Sequence, residues 1–252
     1  MCKVTFFDII RFIFVHCIIM HRIFRLFREN LKEIVYGGLD GIVTTFAVVA
    51  SFSGAMDKGG EVIYPMGVVI LFGVANLFAD AVSMGLGDFL SSRAEFKLFQ
   101  RLWRQQQYAI KHTSSKIEDM TSEILSSHGV DTSEQKECML FFQKHPKLWG
   151  HFLMYHKFEL TETENKQAYI NALTTFLSFV FFGSVPLLPY ILSFMTTSHF
   201  QVSIVFTAFA LLFLGFFRAR VTQETMWKSL LEVFFIGSVA ALFAYIVGVL
   251  LG

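Results

Sequence analysis

Two apolar stretches of this sequence carry acidic residues where a bilayer-spanning helix is normally at its most apolar. The first stretch, residues 36–55, contains Asp40, and the second, residues 66–90, contains Asp80. A carboxylate at membrane depth is energetically expensive, so it is usually retained for an ion pathway or a coupled ion. These two residues therefore predict a carboxylate-lined path for a cation across a membrane.

The second stretch repeats side chains that can bind a metal at a spacing of four residues. They are Asn76, Asp80, Met84 and Asp88. Residues four apart in an α-helix lie on one face, so they would form a single row. A thioether beside carboxylates favours softer transition metals over Mg²⁺ or Ca²⁺. We predict that Asn76, Asp80 and Met84 bind the ion. Asn76 could instead bond a neighbouring helix, and Asp88 could simply be solvated.

Glu33 and Asp40 extend the same reasoning along the first stretch. They are separated by seven residues, which is two turns along one helical face. Asp40 would bind the cation at membrane depth, and Glu33 would act as a relay or proton acceptor at the cytoplasmic end. The alternatives are that Asp40 caps a broken helix beside Gly38 and Gly41, and that Glu33 is solvated among the headgroups.

A weaker pattern lies between residues 151 and 162. His156 and Glu159 are three residues apart, with Met154 adjacent, so one helical face can present an imidazole and a carboxylate to a metal. No complete ligand set and no HExxH motif is present. An amphipathic helix that faces solvent or the membrane explains the segment equally well.

The composition identifies the elements that must position these residues. The chain has 252 residues, 54% of them hydrophobic, and a mean hydropathy of +0.54. Five apolar windows are long enough to cross a hydrocarbon core of about 30 Å. They cover residues 34–55, 64–90, 168–194, 201–217 and 230–251. The expected fold is an all-α membrane protein whose five transmembrane helices carry a helical cytoplasmic domain between the second and third spans.

Basic residues fall on alternate loops. Lys58 is the one basic residue between the first two spans, whereas residues 1–32 and 93–167 hold most of the 21 Lys and Arg residues. The positive-inside bias places both of these segments, and hence the N-terminus, in the cytoplasm. The net charge of +1 argues against nucleic-acid binding. The three cysteines lack a CxxC spacing, so neither a disulfide framework nor a thiolate zinc site is indicated.

Four segments follow from these patterns. Residues 1–32 are predicted to form an amphipathic interfacial segment, unless translation begins at Met20, and residues 33–92 to form the first two spans. Residues 93–167 form a metal-binding module that extends the second span and continues with three helices, the last beginning after Pro146. Residues 168–252 form the remaining spans, with a kink expected in the third span near Pro186.

Catalytic motifs are absent from the sequence. It contains no GxSxG elbow, no P-loop and no GxGxxG dinucleotide fingerprint. We therefore expect a gradient-driven carrier or channel rather than an enzyme. A metal-sensing or scaffolding membrane protein that does not transport is the alternative hypothesis.

Four motifs resemble the vacuolar iron transporter family. They are YGGLDGIVTTFAVVASFSGA, GVANLFADAVSMGLGDFLSSRAE, FFQKHPKLWGHFLMYHKFEL and GSVPLLPY, and the resemblance extends over residues 24–252. It implies a homodimer of five-helix subunits with a helical cytoplasmic domain. It also implies export of Fe²⁺, and often Mn²⁺, from the cytosol in exchange for protons, with no cofactor besides the transported ion.

The same resemblance implies roles for individual residues. Asp40 and Met84 match path ligands, Glu33 stands near the cytoplasmic entrance, and Glu159 matches a cytoplasmic metal ligand. Asn76 replaces a glutamate of the plant members, with Asp80 one turn later. The NLFADAVSMG pattern is more similar to bacterial members. This similarity favours a prokaryotic cytoplasmic membrane over the vacuolar-type membrane expected in a eukaryote.

One departure concerns the helices that open the cytoplasmic module. Plant members carry several glutamates there, whereas this chain has Gln105, Gln106 and Gln107, and the next helix retains only Glu118, Asp119 and Glu123. A neutral glutamine binds divalent metals less well than a carboxylate. The departure therefore predicts weaker metal capture by this module and leaves the preference between Fe²⁺ and Mn²⁺ open.

Overall fold

A computed structural model of the chain describes residues 28–56, 66–112, 114–162, 165–192 and 199–251. These residues are almost entirely helical and contain no β-strand. The helices are α1 (Leu31–Met56), α2 (Met66–His112), α3 (Ser114–Ser127), α4 (Thr132–Lys144), α5 (Pro146–Phe158), α6 (Asn165–Ser184), α7 (Leu188–Leu192), α8 (His199–Thr222) and α9 (Met226–Leu251), with a 3₁₀ turn at Val185–Leu187 between α6 and α7.

Five helical segments are long and apolar enough to cross a membrane. They are Leu31–Gly54, Met66–His112, Asn165–Leu192, His199–Thr222 and Met226–Leu250. The predicted fold class, an all-α protein with five membrane-spanning helices, is confirmed. The α2 helix has 47 residues and is therefore roughly 70 Å long, more than twice the thickness of a hydrocarbon core. Only part of α2 can lie inside a bilayer.

The chain divides into two compact units. The first contains the described residues up to Asp88 and those from Ile170 onward, and the second is Phe89–Tyr169. The second unit covers the segment predicted as the cytoplasmic module, and its location and metal binding stay predictions. The amphipathic helix predicted for residues 1–32 falls largely outside the described residues, which begin at residue 28.

Within the first unit, glycines allow α6 to approach two other spanning helices. A Cβ atom added at Gly37 would lie 2.7 Å from the Thr175 carbonyl oxygen, and one at Gly41 would lie 2.5 Å from that of Phe179. A Cβ atom at Gly183 of α6 would lie 2.5 Å from the Leu77 side chain of α2 and 2.8 Å from the Gly41 carbonyl oxygen of α1. Small residues permit this close backbone packing between membrane helices. The α6 helix therefore links α1, which carries Asp40, to α2, which carries Asp80.

The third span is interrupted where the sequence predicts a kink. The α6 helix ends at Ser184, a 3₁₀ turn containing Pro186 follows, and α7 resumes the helix. Proline disrupts the backbone hydrogen bonding of a helix, and a polar group freed inside a membrane needs another partner. The hydroxyl of Ser203 on α8 supplies one, because it donates to the Pro186 carbonyl oxygen at 2.7 Å.

The second unit has its own core, centred on Trp149. This side chain is buried with Ile117, Ile124 and Leu153, and its indole nitrogen donates to the Thr121 hydroxyl at 2.7 Å. The amide of Gln135 donates to the Val130 carbonyl oxygen at 2.8 Å and so fixes the connection between α3 and α4. A core of this kind holds the ends of α3 and α5 in place within the unit.

The α1–α6 packing leads to a prediction about two glycines. Gly41→Ala should destabilise the protein by about 1–3 kcal/mol, because the new methyl group has no room beside the Phe179 backbone. Gly67→Ala is the matched control, since its Cβ would meet no atom within 4 Å and alanine favours the helix. Thermal unfolding in detergent should show a lower melting temperature for Gly41→Ala and an unchanged or slightly higher one for Gly67→Ala. An equal response of both variants would contradict the packing.

Candidate metal-translocation site

Asp40 lies within α1 rather than at a helix end. The helix is continuous from Leu31 to Met56, and the Asp40 carbonyl oxygen accepts a hydrogen bond from the Thr44 hydroxyl at 2.8 Å. The alternative in which Asp40 caps a broken helix is therefore wrong. Its half-buried side chain is close enough to Asp80 for the two carboxyl groups to repel each other. Two acidic groups from different spanning helices are thus brought together.

Asp80 is held in place by the amide of Asn76. The Asn76 Nδ2 atom donates to Asp80 Oδ2 at 2.7 Å, one turn away on the same helix. The α2 helix therefore presents these two residues on one face, as their spacing predicts, and Asn76 bonds within its own helix rather than to a neighbour. A hydrogen bond to one carboxylate oxygen orients the group, as donors around bound metals commonly do.

Met84 has a packing role in addition to its predicted role as a ligand. Its half-buried side chain lies against the buried cluster of Leu77, Ala81 and Phe179. Methionine is flexible and suits irregular gaps of this kind, while its sulfur remains polarisable. Met84 therefore helps to fill the α2–α6 contact, and metal binding by its sulfur stays a prediction.

Neither Asp88 nor Glu33 has the solvent-exposed side chain that a solvated role would require. The Asp88 Oδ2 atom accepts a hydrogen bond from the Thr175 hydroxyl at 2.6 Å, so this carboxylate connects α2 to α6. Glu33 is buried, with 8% of its surface exposed, in the first turn of α1. The amino end of a helix favours a negative charge, which stabilises a carboxylate there. Neither residue is a freely solvated surface group.

The membrane carboxylates have no basic partner in the part of the chain that the structure describes. Ion pairs there join His151 to Glu162 and Arg218 to Glu224 and Glu232. Asp40 and Asp80 consequently form an uncompensated acidic pair, an arrangement that favours an arriving cation. No group of three or more His, Cys, Asp or Glu residues suited to a metal occurs among the described residues. One subunit therefore offers two carboxylates, with Asn76 and Met84 as the further ligands predicted from sequence.

The second unit does not form the predicted face of Met154, His156 and Glu159. Met154 is 1% exposed and belongs to the interior of the unit. The α5 helix ends at Phe158, and Glu159 adopts a left-handed conformation with φ of 54°. The helical face therefore ends one residue before Glu159, because the backbone no longer has the α-helical conformation at that residue. His156 instead lies beside His128, which no sequence motif singled out.

The chain matches the VIT family over residues 31–249. This chain belongs to the VIT family. It is similar to vacuolar iron transporter 1 of Oryza sativa subsp. japonica, with 31% identity over 217 residues, 86% of this chain and 83% of the relative. It is 30% identical to vacuolar iron transporter 1 of Arabidopsis thaliana over 217 residues, 86% of this chain and 84% of the relative. It is also 30% identical to the vacuolar iron transporter of Plasmodium berghei (strain Anka) over 237 residues, 89% of this chain and 83% of that protein.

Membership of the VIT family confirms several predictions together. The relatives are named as transporters, and the family is one of metal-ion transporters rather than enzymes. The family assignment and the five apolar helices identify the chain as a multi-pass membrane protein. The predicted family and the exclusion of an enzyme are therefore confirmed.

The acidic pair leads to a prediction in which stability and metal binding change in opposite directions. Asp40→Asn removes one of two repelling charges, so the metal-free protein should unfold at a higher temperature in detergent. The same change should reduce the further stabilisation produced by Mn²⁺, because one ligand is lost. Asp88→Asn is the control, since the amide oxygen of the new side chain can still accept the hydrogen bond from the Thr175 hydroxyl. Full stabilisation of Asp40→Asn by Mn²⁺ would argue against this site.

Proposed function

We propose that this chain is a secondary transporter that exports Fe²⁺, Mn²⁺ or both from the cytosol in exchange for protons. The observation that carries the proposal is the acidic pair of Asp40 and Asp80 on two spanning helices. Iron is supported by the relatives, which are named vacuolar iron transporters. The function maintains iron and manganese homeostasis by removing excess cation from the cytosol.

The ligand types favour a transition metal of this class. Asp40, Asp80 and the Asn76 amide offer oxygen atoms, which Mn²⁺ and Fe²⁺ both accept. The Met84 thioether, one turn from Asp80, adds a soft ligand that Mg²⁺ and Ca²⁺ bind poorly. This combination supports selection of Fe²⁺ or Mn²⁺ over the more abundant hard cations.

Exchange with protons follows from the charge of the site. A metal ion and protons compete for the same carboxylate oxygens, so a bound cation displaces protons and an acidic compartment favours its release. Asp40 and Asp80 have no basic partner among the described residues, so a cation or protons would offset their repulsion. Metal would therefore bind from the near-neutral cytosol, and protons would replace it on the acidic side.

The direction of the path rests on the distribution of basic residues. The positive-inside bias of the sequence favours a cytoplasmic location for the N-terminus and residues 93–167. Glu33, in the first turn of α1, would then stand at the cytoplasmic end, with Asp40 about 10 Å further along the helix. The membrane would be the cytoplasmic membrane in a prokaryote or a vacuolar-type membrane in a eukaryote.

A second copy of the chain would complete the ligand set. Ala75, Ala79, Ser83 and Gly87 form an exposed stripe of small residues on α2. Each immediately precedes a member of the row from Asn76 to Asp88, and a Cβ atom at Gly87 would meet nothing within 4 Å. Small residues spaced four apart promote close packing of membrane helices. A homodimer that packs through this stripe would place two acidic pairs beside one path.

Transport by reconstituted protein tests the proposal. Proteoliposomes with an acidic lumen should take up Fe²⁺ or Mn²⁺ through molecules whose cytoplasmic face points outward, and a proton ionophore should remove the stimulation by acid. Asp40→Ala should abolish uptake, because the path loses a ligand, while circular dichroism and the elution profile stay unchanged. Metal binding without uptake by the wild-type protein would favour the sensor or scaffold hypothesis. Full uptake by Asp40→Ala would refute the assigned path.

The homodimer can be tested separately. Ala79→Leu adds bulk to the small-residue stripe and should shift the detergent-solubilised protein toward the monomer mass in light scattering. Ser238→Leu is the control, because Ser238 is a small, exposed residue on a different spanning helix, α9. A monomeric wild-type protein, or dimers of unchanged stability in Ala79→Leu, would contradict this interface.

A further inference from the structure

Two imidazole rings meet in the second unit, outside the acidic path. His128 follows the last residue of α3, and His156 lies in the last turn of α5. Their ring centroids are 4.9 Å apart, and the ring planes are nearly perpendicular. Two imidazoles bound through nitrogen to one tetrahedral ion would have centroids roughly 5 Å apart, given metal–nitrogen bonds of about 2 Å. The observed spacing is therefore suitable for two ligands of a single ion.

The hydrogen bonding of His128 favours one of its nitrogens as a metal ligand. Its Nδ1 atom lies 2.9 Å from the Ile124 carbonyl oxygen and 3.2 Å from the Ser127 hydroxyl, which itself donates to that carbonyl oxygen. Both oxygens can accept a hydrogen bond from Nδ1, so this arrangement favours the neutral tautomer with its lone pair on Nε2. A hydrogen bond from one nitrogen to a backbone carbonyl is the usual way to orient a metal-binding histidine.

The backbone around the two rings also favours a cation. The carboxyl end of a helix carries partial negative charge on its last carbonyl groups. His128 adjoins the end of α3 at Ser127, and His156 is two residues from the end of α5 at Phe158. The contact between the rings therefore brings two helix carboxyl ends to one place. A positive ion bound there would be stabilised by both.

The pair is accessible and incompletely surrounded by ligands. His128 is exposed and His156 is half-buried, with the Phe152 and Tyr155 rings packed against His156. Within the described residues, no third His, Cys, Asp or Glu completes a metal-binding group. Water would occupy the remaining coordination positions, so a bound ion would exchange readily. This property suits temporary capture rather than storage.

We propose that His128 and His156 form a binding site for divalent transition metals that prefer imidazole, such as Zn²⁺ and Fe²⁺. Imidazole binds these ions well and binds Mg²⁺ and Ca²⁺ poorly. The site supplies nitrogen ligands in a module whose first helix carries three neutral glutamines, Gln105, Gln106 and Gln107. Its role as a capture site for transport rests on the proposed function, whereas the binding itself does not.

Chemical modification of the full-length protein in detergent tests the site without any substitution. Diethyl pyrocarbonate reacts with free imidazole nitrogen, and mass spectrometry measures the rate at each histidine. Zn²⁺ should slow the modification of both His128 and His156 by roughly tenfold, whereas Mg²⁺ should not. Protection of neither residue, or of only one, would overturn the shared site.

His112 provides a matched internal control. Its Nδ1 atom also lies 3.0 Å from a carbonyl oxygen four residues earlier, that of Tyr108, and it ends helix α2. It stacks on the Tyr108 ring rather than on a second imidazole. Equal protection of His112 would show that a helix-terminal histidine alone is sufficient and would refute the role of the pair.

Variants separate this site from the transport path. His128→Gln and His156→Gln should each lower the Zn²⁺ affinity of the intact protein by roughly tenfold or more, and His112→Gln should not. Unchanged affinity in the first two variants would contradict the proposal. Protection of the pair in a protein that shows no metal flux in proteoliposomes would refute the proposed transport and leave the imidazole site established.

Discussion

The repulsion between Asp40 and Asp80 is the constraint on which the proposed transport rests. Both groups lie on helices that span the membrane, and neither forms an ion pair with a described basic residue. Close packing of α6 against the α1 backbone at Gly41, and against the Leu77 side chain of α2 at Gly183, limits how far the two carboxylates can separate. Folding of the helical unit thus keeps two like charges close together, and a bound cation or protons would relieve their repulsion.

Several polar groups of the spanning helices are bonded to partners on other helices, unlike Asp40 and Asp80. Ser178 donates to the Ile34 carbonyl oxygen, Ser203 to that of Pro186, and Thr175 to the Asp88 carboxylate. These bonds satisfy groups that hydrocarbon cannot solvate and also join separate helices. Within the described part of the chain, the hydrogen bond to Asp80 comes from a residue of its own helix, Asn76, and Asp80 lies near a second acid. Two aspartates on α2 consequently differ in role: Asp88 contributes to packing, and Asp80 belongs to the acidic pair.

The second unit places two histidines at neighbouring helix ends, where the proposed imidazole site would lie. Its interior is organised by Trp149 and the hydroxyl of Thr121, so the ends of α3 and α5 are held in fixed positions. Those ends carry His128 and His156, whose affinity for transition metals does not require a negative charge. Burial of Met154 in the same interior removes the thioether that the sequence suggested as a surface ligand.

The sequence by itself determined the membrane class, the five spans, the break at Pro186 and the α2 face that carries Asn76 and Asp80. Each of these is a local property, set by the length of an apolar run, the geometry of proline or the period of the α-helix. The family was also recognisable from contiguous motifs. Only the tertiary structure decided that Asp40 comes within electrostatic range of Asp80, that Thr175 binds Asp88 and that His128 meets His156. These contacts join residues distant in the chain, and side-chain packing between helices, which has no signature in a single sequence, fixes them.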